Sequence, residues 1–283
     1  MIPPVVDASF LAEHPGVVLA DVRWYLEGRD ALAAYLDGHL PGAVFIDLNA
    51  HLAGAPSADA GRHPLPAPEV FAEGMRLAGI GDDSVVVAYD DAGGATAGRL
   101  VWLLRSLGLD AALLDGGLDA WAGPLETGLP DAPAPGAFTA RPWAASDLAT
   151  MDDACQSALV LDGRAPARYR GESEPVDARA GHIPGARNAF FGDNLGPDKR
   201  FRSAEELRAR FAELGVTDAA GAIVYCGSGV TACHTLLAME LAGLGRGRLY
   251  PGSWSQYAGT DRPAATGPEP GSRPPLDSRR TTR

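Results

Sequence analysis

Three cysteines, Cys155, Cys226 and Cys233, are too few to form a disulfide framework in a chain of 283 residues. Their odd number suits a reducing compartment. The N-terminal stretch MIPPVVDASFLAEHPG has neither a basic n-region nor an apolar h-region. No apolar run approaches the roughly 18 residues that would span a bilayer. Basic residues are scarce: 24 Lys and Arg stand against 36 Asp and Glu, a formal net charge of −12. Such a balance disfavours a nucleic-acid backbone as partner. No Cys-x-x-Cys pair or His/Cys cluster has metal-ligand spacing. These absences predict a soluble, cytoplasmic protein with neither a membrane nor a nucleic acid as partner.

What is present is globular. Hydrophobic residues make up 46% and charged residues 21%, outside the disordered range. The length fits two domains of about 140 residues each. The chain also repeats itself. GHLPGA at Gly38–Ala43 returns as GHIPGA at Gly181–Ala186. Before each lies an apolar run ending in Asp-x-Arg: Asp21 and Arg23, then Asp162 and Arg164. After each lies an apolar run ending in Tyr, VVVAY before Asp90 and AIVY before Cys226. DGGLDAW (Asp115–Trp121) and YPGSWSQY (Tyr250–Tyr257) follow in turn. Landmarks in one order at nearly constant offset indicate duplicated domains, residues 1–125 and 144–262. The segment 126–143 between them carries four prolines, which hold it extended. Residues 263–283 read as an irregular or frayed tail.

Short apolar runs such as VVVAY and AIVY, bounded by turn residues, read as strands buried on both faces. Val70–Ile80, Ser203–Gly215 and Thr231–Gly245 read as helices. Ser203 is the expected N-cap of the second, with Glu206 completing a capping box and Gly215 the stop. Alternating strands and helices predict an α/β fold: two domains, each a mostly parallel sheet flanked by helices on both faces.

The chemistry concentrates in AIVYCGSGVTACHTLLAMELAG. A buried strand ends at Tyr225 and Cys226 follows at its carboxyl end, where open α/β sheets bind ligands. Gly227 and Gly229 let the backbone curl so that N–H groups turn toward the sulfur. A helix starts directly after Val230 and Thr231. These dipoles favour negative charge at the loop centre, so a reactive thiolate is expected there. Hydroxyls of Ser228 and Thr231 add donors. A buried cysteine beside a tight turn is the plainer alternative, and the Gly-Ser-Gly followed by a helix start weighs against it.

CGSGVTA at Cys226–Ala232, preceded by IVY, resembles the active-site loop of the rhodanese superfamily. The paired GH[LI]PGA elements, the Asp-x-Arg strand ends and the proline-containing linker resemble its two-domain sulfurtransferases over nearly the whole chain. The resemblance implies a double displacement. A Cys226 persulfide forms from a small anionic donor, thiosulfate or 3-mercaptopyruvate, and a cyanide, thiol or thioredoxin-like acceptor discharges it. A persulfide needs no metal, so no metal or other cofactor is expected. Gly227, Gly229, Val230 and Thr231 would cradle the sulfur. Arg168, in ARYRG, matches the family arginine that grips the donor's carboxylate or sulfonate. In mercaptopyruvate enzymes a second arginine follows a Glu-Pro. Here Glu174-Pro175 is followed by Val176, and Arg179 is the nearest substitute.

Asp47 and His63 match positions that, in mercaptopyruvate enzymes, complete a Ser–His–Asp set with the loop serine, here Ser228. Equally, Asp47 could cap a turn and His63 be a loop residue. Trp254 either lines the pocket or sits in the core. His39 and His182 occur symmetrically in both halves and are assigned to structure, as are Arg23 and Arg164. Cys233 reads as a helical residue facing the core, and Cys155 carries no assigned role. Asp90 stands at the cysteine's place in the first half, YDDAGGATAG, so that domain is expected to be catalytically silent. A cysteine phosphatase would need Cys-x5-Arg, and Ala232 occupies the arginine's position. A non-catalytic sulfur-relay or scaffold protein is the remaining alternative.

Overall fold

The computed structural model describes residues 1–273. Its first half forms a parallel sheet from β1 (Val5–Val6), β2 (Val18–Asp21), β3 (Val44–Phe45), β4 (Val86–Tyr89) and β5 (Ala111–Leu114), in the order β1-β5-β4-β2-β3. Helices α1 (Ala8–Glu13), α2 (Ala31–Asp37), α3 (Pro68–Leu77) and α4 (Ala97–Ser106) connect the strands. The second half begins with α5 (Met151–Gln156), β6 (Val160–Asp162), α6 (Pro166–Tyr169) and β7 (Arg187–Asn188). It continues with α7 (Ala204–Glu213), β8 (Ile223–Tyr225), α8 (Val230–Leu241), β9 (Arg248–Leu249) and α9 (Ser253–Tyr257). Its sheet runs β7-β6-β8-β9, again parallel. β4, β5, β6 and β8 are buried at every position, as strands covered on both faces must be.

The helix limits follow local chemistry. α3 starts at Pro68, whose missing N–H costs nothing at a first helical position, and it ends before Gly79 at φ +72. The reciprocal Ser203–Glu206 capping box forms as expected. α8 stops at Leu241, short of Gly245, because Gly243 takes φ +73 just beyond it.

The duplication extends to individual hydrogen bonds. Arg23 binds Asp21 and the Gly38 carbonyl, and Arg164 binds Asp162 and the Gly181 carbonyl. Tyr35 stacks on His39 at 3.9 Å and Tyr169 on His182 at 3.8 Å. Leu40 N donates to the Tyr89 hydroxyl, and Ile183 N to that of Tyr225. His39 and His182 are thus braces of the Gly-His-x-Pro-Gly turns, which explains their presence in both halves.

The two domains share one core. A continuous apolar cluster includes Leu100, Val101 and Leu104 of α4 together with Leu236, Leu237 and Met239 of α8. Gly98 allows the close approach of the two helices: a Cβ there would stand 3.3 Å from His234 Cα. Arg105 of α4 forms an ion pair with Glu240 of α8. The proline-rich segment is extended and fastened to the first domain: Gly136 N donates to Arg76 O, and Trp143 Nε1 to Pro66 O. Of the tail expected to be irregular or frayed, residues 263–273 have neither helix nor strand but are packed rather than frayed. Residues 263–273 lie along the second domain, with Ala265 bridged to His182 and Gly185 N donating to Pro270 O. The remainder of that expectation, 274–283, lies outside the described residues. Among the described residues no helix is long and apolar enough to cross a membrane.

Asp90 organises the turn between β4 and α4. Its carboxylate accepts N–H groups of Ala92 (2.8 Å), Gly94 (2.8 Å), Thr96 (2.8 Å) and Ala97 (2.9 Å), and the Thr96 hydroxyl (3.0 Å). Replacing Asp90 by Ala leaves the four N–H donors without this acceptor, while the Thr96 hydroxyl keeps Val22 O at 2.7 Å. Chemical denaturation should show a loss of roughly 3 kcal/mol or more, with Asp90→Asn, which keeps one acceptor oxygen, less affected.

His63 and His234 are both buried, and burial is the main reason each is held down from 6.5 to about 4. The unfolded chain therefore binds protons that the native chain does not. The resulting stability is complete above about 6.5 and is lost as the pH falls toward 4, by roughly 3 kcal/mol per histidine. Denaturation midpoints recorded between neutral and acid pH should fall accordingly, and His63→Gln should flatten part of the decline.

Candidate active site

β8 delivers Cys226 to the carboxyl edge of the second sheet, and α9 fixes the loop that follows. Trp254 N donates to Cys226 O at 2.9 Å, and Ser255 N to Gly227 O at 2.8 Å. The Cys226 N–H is received by Ser253 Oγ at 3.1 Å, and that hydroxyl donates onward to Tyr250 O. Ser253 holds this place at φ +52, a left-handed conformation that a residue with a Cβ adopts only under strain. Gly229 turns the chain at φ +81, where a Cβ would lie 2.6 Å from Pro251 O. Its N–H donates to Cys226 Sγ at 3.1 Å. Val230 and Thr231 form the first turn of α8, the former buried and the latter half-buried.

The sulfur's place is that of Asp90 in the first domain. Leu118 N reaches Asp90 O as Trp254 N reaches Cys226 O. A carboxylate oxygen lies one bond farther out than a cysteine Sγ, where a second sulfur on Cys226 would sit. In the first half that outer position is surrounded by main-chain N–H groups and already filled.

Ser228 and His63 meet across the domain boundary: Ser228 Oγ lies 2.8 Å from His63 Nδ1. His63 is 5% exposed, and Trp24 stands edge-on to its ring at 5.1 Å. Burial, and after it the cations Arg62 and Arg99, keep this imidazole neutral above about pH 4. Asp47 does not complete the expected Ser–His–Asp set. It is exposed, and its Oδ1 accepts from Asn49 N (2.7 Å) and Ala50 N (3.1 Å), capping the turn Leu48–Leu52. Among the described residues no hydrogen bond joins it to His63. The loop carries His63 over to the second domain while Asp47 stays at the end of β3.

Two guanidinium groups border the loop. A Cβ on Gly227 would lie 3.2 Å from Arg62 Nη2 and 3.4 Å from Arg168 Nη1. Glu174 and Asp177 hold Arg168 at 2.5 and 2.9 Å. Arg179, the expected second grip, is engaged elsewhere. Its guanidinium donates to Arg262 O (2.8 Å) and Tyr257 O (3.4 Å), and its own carbonyl receives Trp254 Nε1. Trp254 is fully buried under Arg164 and belongs to the core.

Two cations escaped the sequence reading. Arg62 directly precedes His63, and that adjacency was its one signal. Arg99, in α4, is completely buried. It donates to Gly229 O (3.1 Å), His63 O (3.2 Å), Pro64 O (3.3 Å) and Leu52 O (3.2 Å), and Cys233 Sγ lies 4.0 Å away. Among the described residues no carboxylate pairs with it. One guanidinium thus ties the histidine's backbone to the cysteine loop. Cys233 faces this core as expected, and burial raises its thiol to about 12.

The model of the rhodanese-like domain matches residues 7–124 and 144–260. The "Probable 3-mercaptopyruvate sulfurtransferase" of Pseudomonas aeruginosa is 47% identical over 273 residues, covering 92% of this chain and 95% of that protein. The thiosulfate sulfurtransferase of Bos taurus is 35% identical over 274 residues, covering 89% and 91%. Among solved structures, the 3-mercaptopyruvate sulfurtransferase from Leishmania major superposes with a TM-score of 0.83 at 33% identity, over 92% of this chain and 75% of that one. Duplicated sheets, a cysteine at the carboxyl end of one central strand and these matches over both halves agree: the chain belongs to the rhodanese family, as a member with two rhodanese-like domains.

Proposed function

We propose that the protein is a sulfurtransferase that carries sulfane sulfur as a persulfide on Cys226. The supporting observation is the position of Sγ, at the end of β8 and bonded to the Gly229 N–H, in the place where the first domain stabilises a carboxylate. The Cys226 thiolate attacks the outer sulfur of the donor. With thiosulfate the S–S bond breaks and sulfite departs with the electron pair. With 3-mercaptopyruvate the C–S bond breaks and the pair remains on carbon as the enolate of pyruvate. That carbon needs a proton, and the donor thiol must lose one. The neutral Ser228–His63 pair is placed to move it between the two. An acceptor thiolate, cyanide or a thioredoxin-like thiol then takes the outer sulfur and regenerates Cys226.

Asp90 cannot carry sulfur, which leaves the first domain as a wall of the site that contributes His63, Arg62 and Arg99. Relatives named for both donors support either thiosulfate or 3-mercaptopyruvate here. Three free cysteines suit the reducing cytoplasm.

Incubation with either donor followed by cyanide should yield thiocyanate, and intact-mass measurement before cyanide should find one added sulfur. Cys226→Ser should abolish both. A wild-type protein that never gains sulfur from either donor would refute the assignment. Ser228→Ala should lower kcat with 3-mercaptopyruvate by about a hundredfold, the scale of a lost proton transfer. The effect with thiosulfate should be smaller, because sulfite leaves unprotonated. Equal losses with both donors would remove the proton-moving role.

A further inference from the structure

We infer that Arg99, a residue of α4 in the first domain, is a positioning residue of the reaction: it holds His63 against Ser228 by tying the loop that carries the histidine to the loop that carries the nucleophile. This role rests on the reading of Cys226 as the sulfur carrier and of Ser228–His63 as the proton carrier.

The guanidinium is 0% exposed, and the oxygens it binds are all main-chain carbonyls. Nε donates to Leu52 O at 3.2 Å, and Nη2 to His63 O at 3.2 Å and Pro64 O at 3.3 Å. Leu52 and His63 stand at the two ends of one loop, so the guanidinium closes its neck. Gly54 N, donating to Pro64 O at 3.0 Å, closes it further. The remaining nitrogen, Nη1, donates to Gly229 O at 3.1 Å in the second domain. Gly229 follows Ser228 directly, and its N–H is the one on Cys226 Sγ. One rigid planar fork therefore ties together the backbones of both partners in the 2.8 Å contact between Ser228 Oγ and His63 Nδ1. Packing alone does not need a charge here, because a buried cation carries a desolvation cost that an apolar side chain of that size avoids. After burial and Arg62, that charge also helps to hold His63 down to about 4, which keeps the imidazole neutral and able to take a proton.

The duplicated halves supply an internal control. Gly93 and Gly229 are the same place in the two domains, each three residues beyond the strand-end Asp90 or Cys226. α4 reaches Gly229 O through Arg99, and α8 reaches Gly93 O through His234 Nε2 at 3.1 Å. The two helices thus brace each other's loops across the shared core, and His234 is as fully buried as Arg99. Their other attachments differ. His234 Nδ1 lies 3.3 Å from Asn194 Nδ2 and its ring stacks on Phe201 at 4.6 Å, whereas Arg99 continues to His63. Loss of either brace loosens the domain boundary, but only loss of Arg99 frees the histidine from the nucleophile loop.

Arg99→Met, Arg99→Lys and His234→Gln are assayed for kcat and KM with thiosulfate and with 3-mercaptopyruvate, and the Arg99 variants also in a Ser228→Ala background. A misplaced proton-transfer pair should lower kcat with 3-mercaptopyruvate by about 10- to 100-fold in Arg99→Met, while KM moves less than about threefold. The loss with thiosulfate should be at least about fivefold smaller, since sulfite leaves without a proton. Arg99→Lys, which keeps the charge but not the fork, should recover part of the loss. In the Ser228→Ala background Arg99→Met should lower kcat by less than about threefold, because residues that act as one unit do not add. His234→Gln should keep the wild-type ratio between the donors. Equal losses with both donors, or the same factor with and without Ser228, make Arg99 a packing residue and overturn the role while the sulfurtransferase reading stands. A donor bias in His234→Gln as large as in Arg99→Met also overturns it, since any weakened boundary would then suffice. If Arg99→Met does not fold, Arg99→Lys decides on the same readouts. If Ser228→Ala alone shows no donor bias, or the wild-type protein never gains sulfur, the underlying reading falls, and the role of Arg99 with it.

Discussion

An anion at the carboxyl end of a buried strand must be held by main-chain N–H groups, because a sheet covered on both faces offers it no water. Both halves of this protein are built around that constraint. In the first, the place is taken by the Asp90 carboxylate, bonded to four N–H groups and a hydroxyl. In the second it is the Cys226 sulfur, bonded to the Gly229 N–H, which the proposed reaction would load and empty. The strand, the small-residue loop and the helix start are the same in both. The residue at the strand's end is what differs: an aspartate in the first domain, a cysteine in the second.

The first domain, which holds no cysteine, builds part of the candidate site. Its loop reaches across to place His63 against Ser228 and Arg62 beside Gly227, while Arg99 passes beneath and joins Gly229 O to His63 O. Burying a guanidinium without a carboxylate is costly unless each N–H finds an acceptor, and the main-chain carbonyls supply them. The shared core between α4 and α8 keeps these parts in register, with the ion pair of Arg105 and Glu240 at its edge.

The electrostatics of the site run against those of the chain. A protein of net charge −12 gathers Arg62, Arg99 and Arg168 near one loop, with Arg164 buried under it against Trp254. Acidic partners neutralise some of them: Asp162 and Glu174 hold Arg164, and Glu174 with Asp177 hold Arg168. These carboxylates fix the geometry of both arginines: Arg164 is buried, and Arg168 stays partly exposed. Burial first, and after it Arg62 and Arg99, keep His63 neutral above about pH 4.

The sequence by itself determined the duplication, the buried parallel strands, the braced Gly-His-x-Pro-Gly turns, and the place of Cys226 at a strand end before a helix. All are properties of residues close together along the chain, where period, turn chemistry and capping fix the backbone. Only the tertiary structure decided which charged groups meet. It put Arg62 beside Asp177, spent Asp47 on a local cap, and turned Arg179 toward carbonyls, whereas the meeting of His63 and Ser228 was already implied by the family resemblance. Those pairings join residues far apart in the chain, and local spacing carries no record of which surfaces two packed helices will bring together.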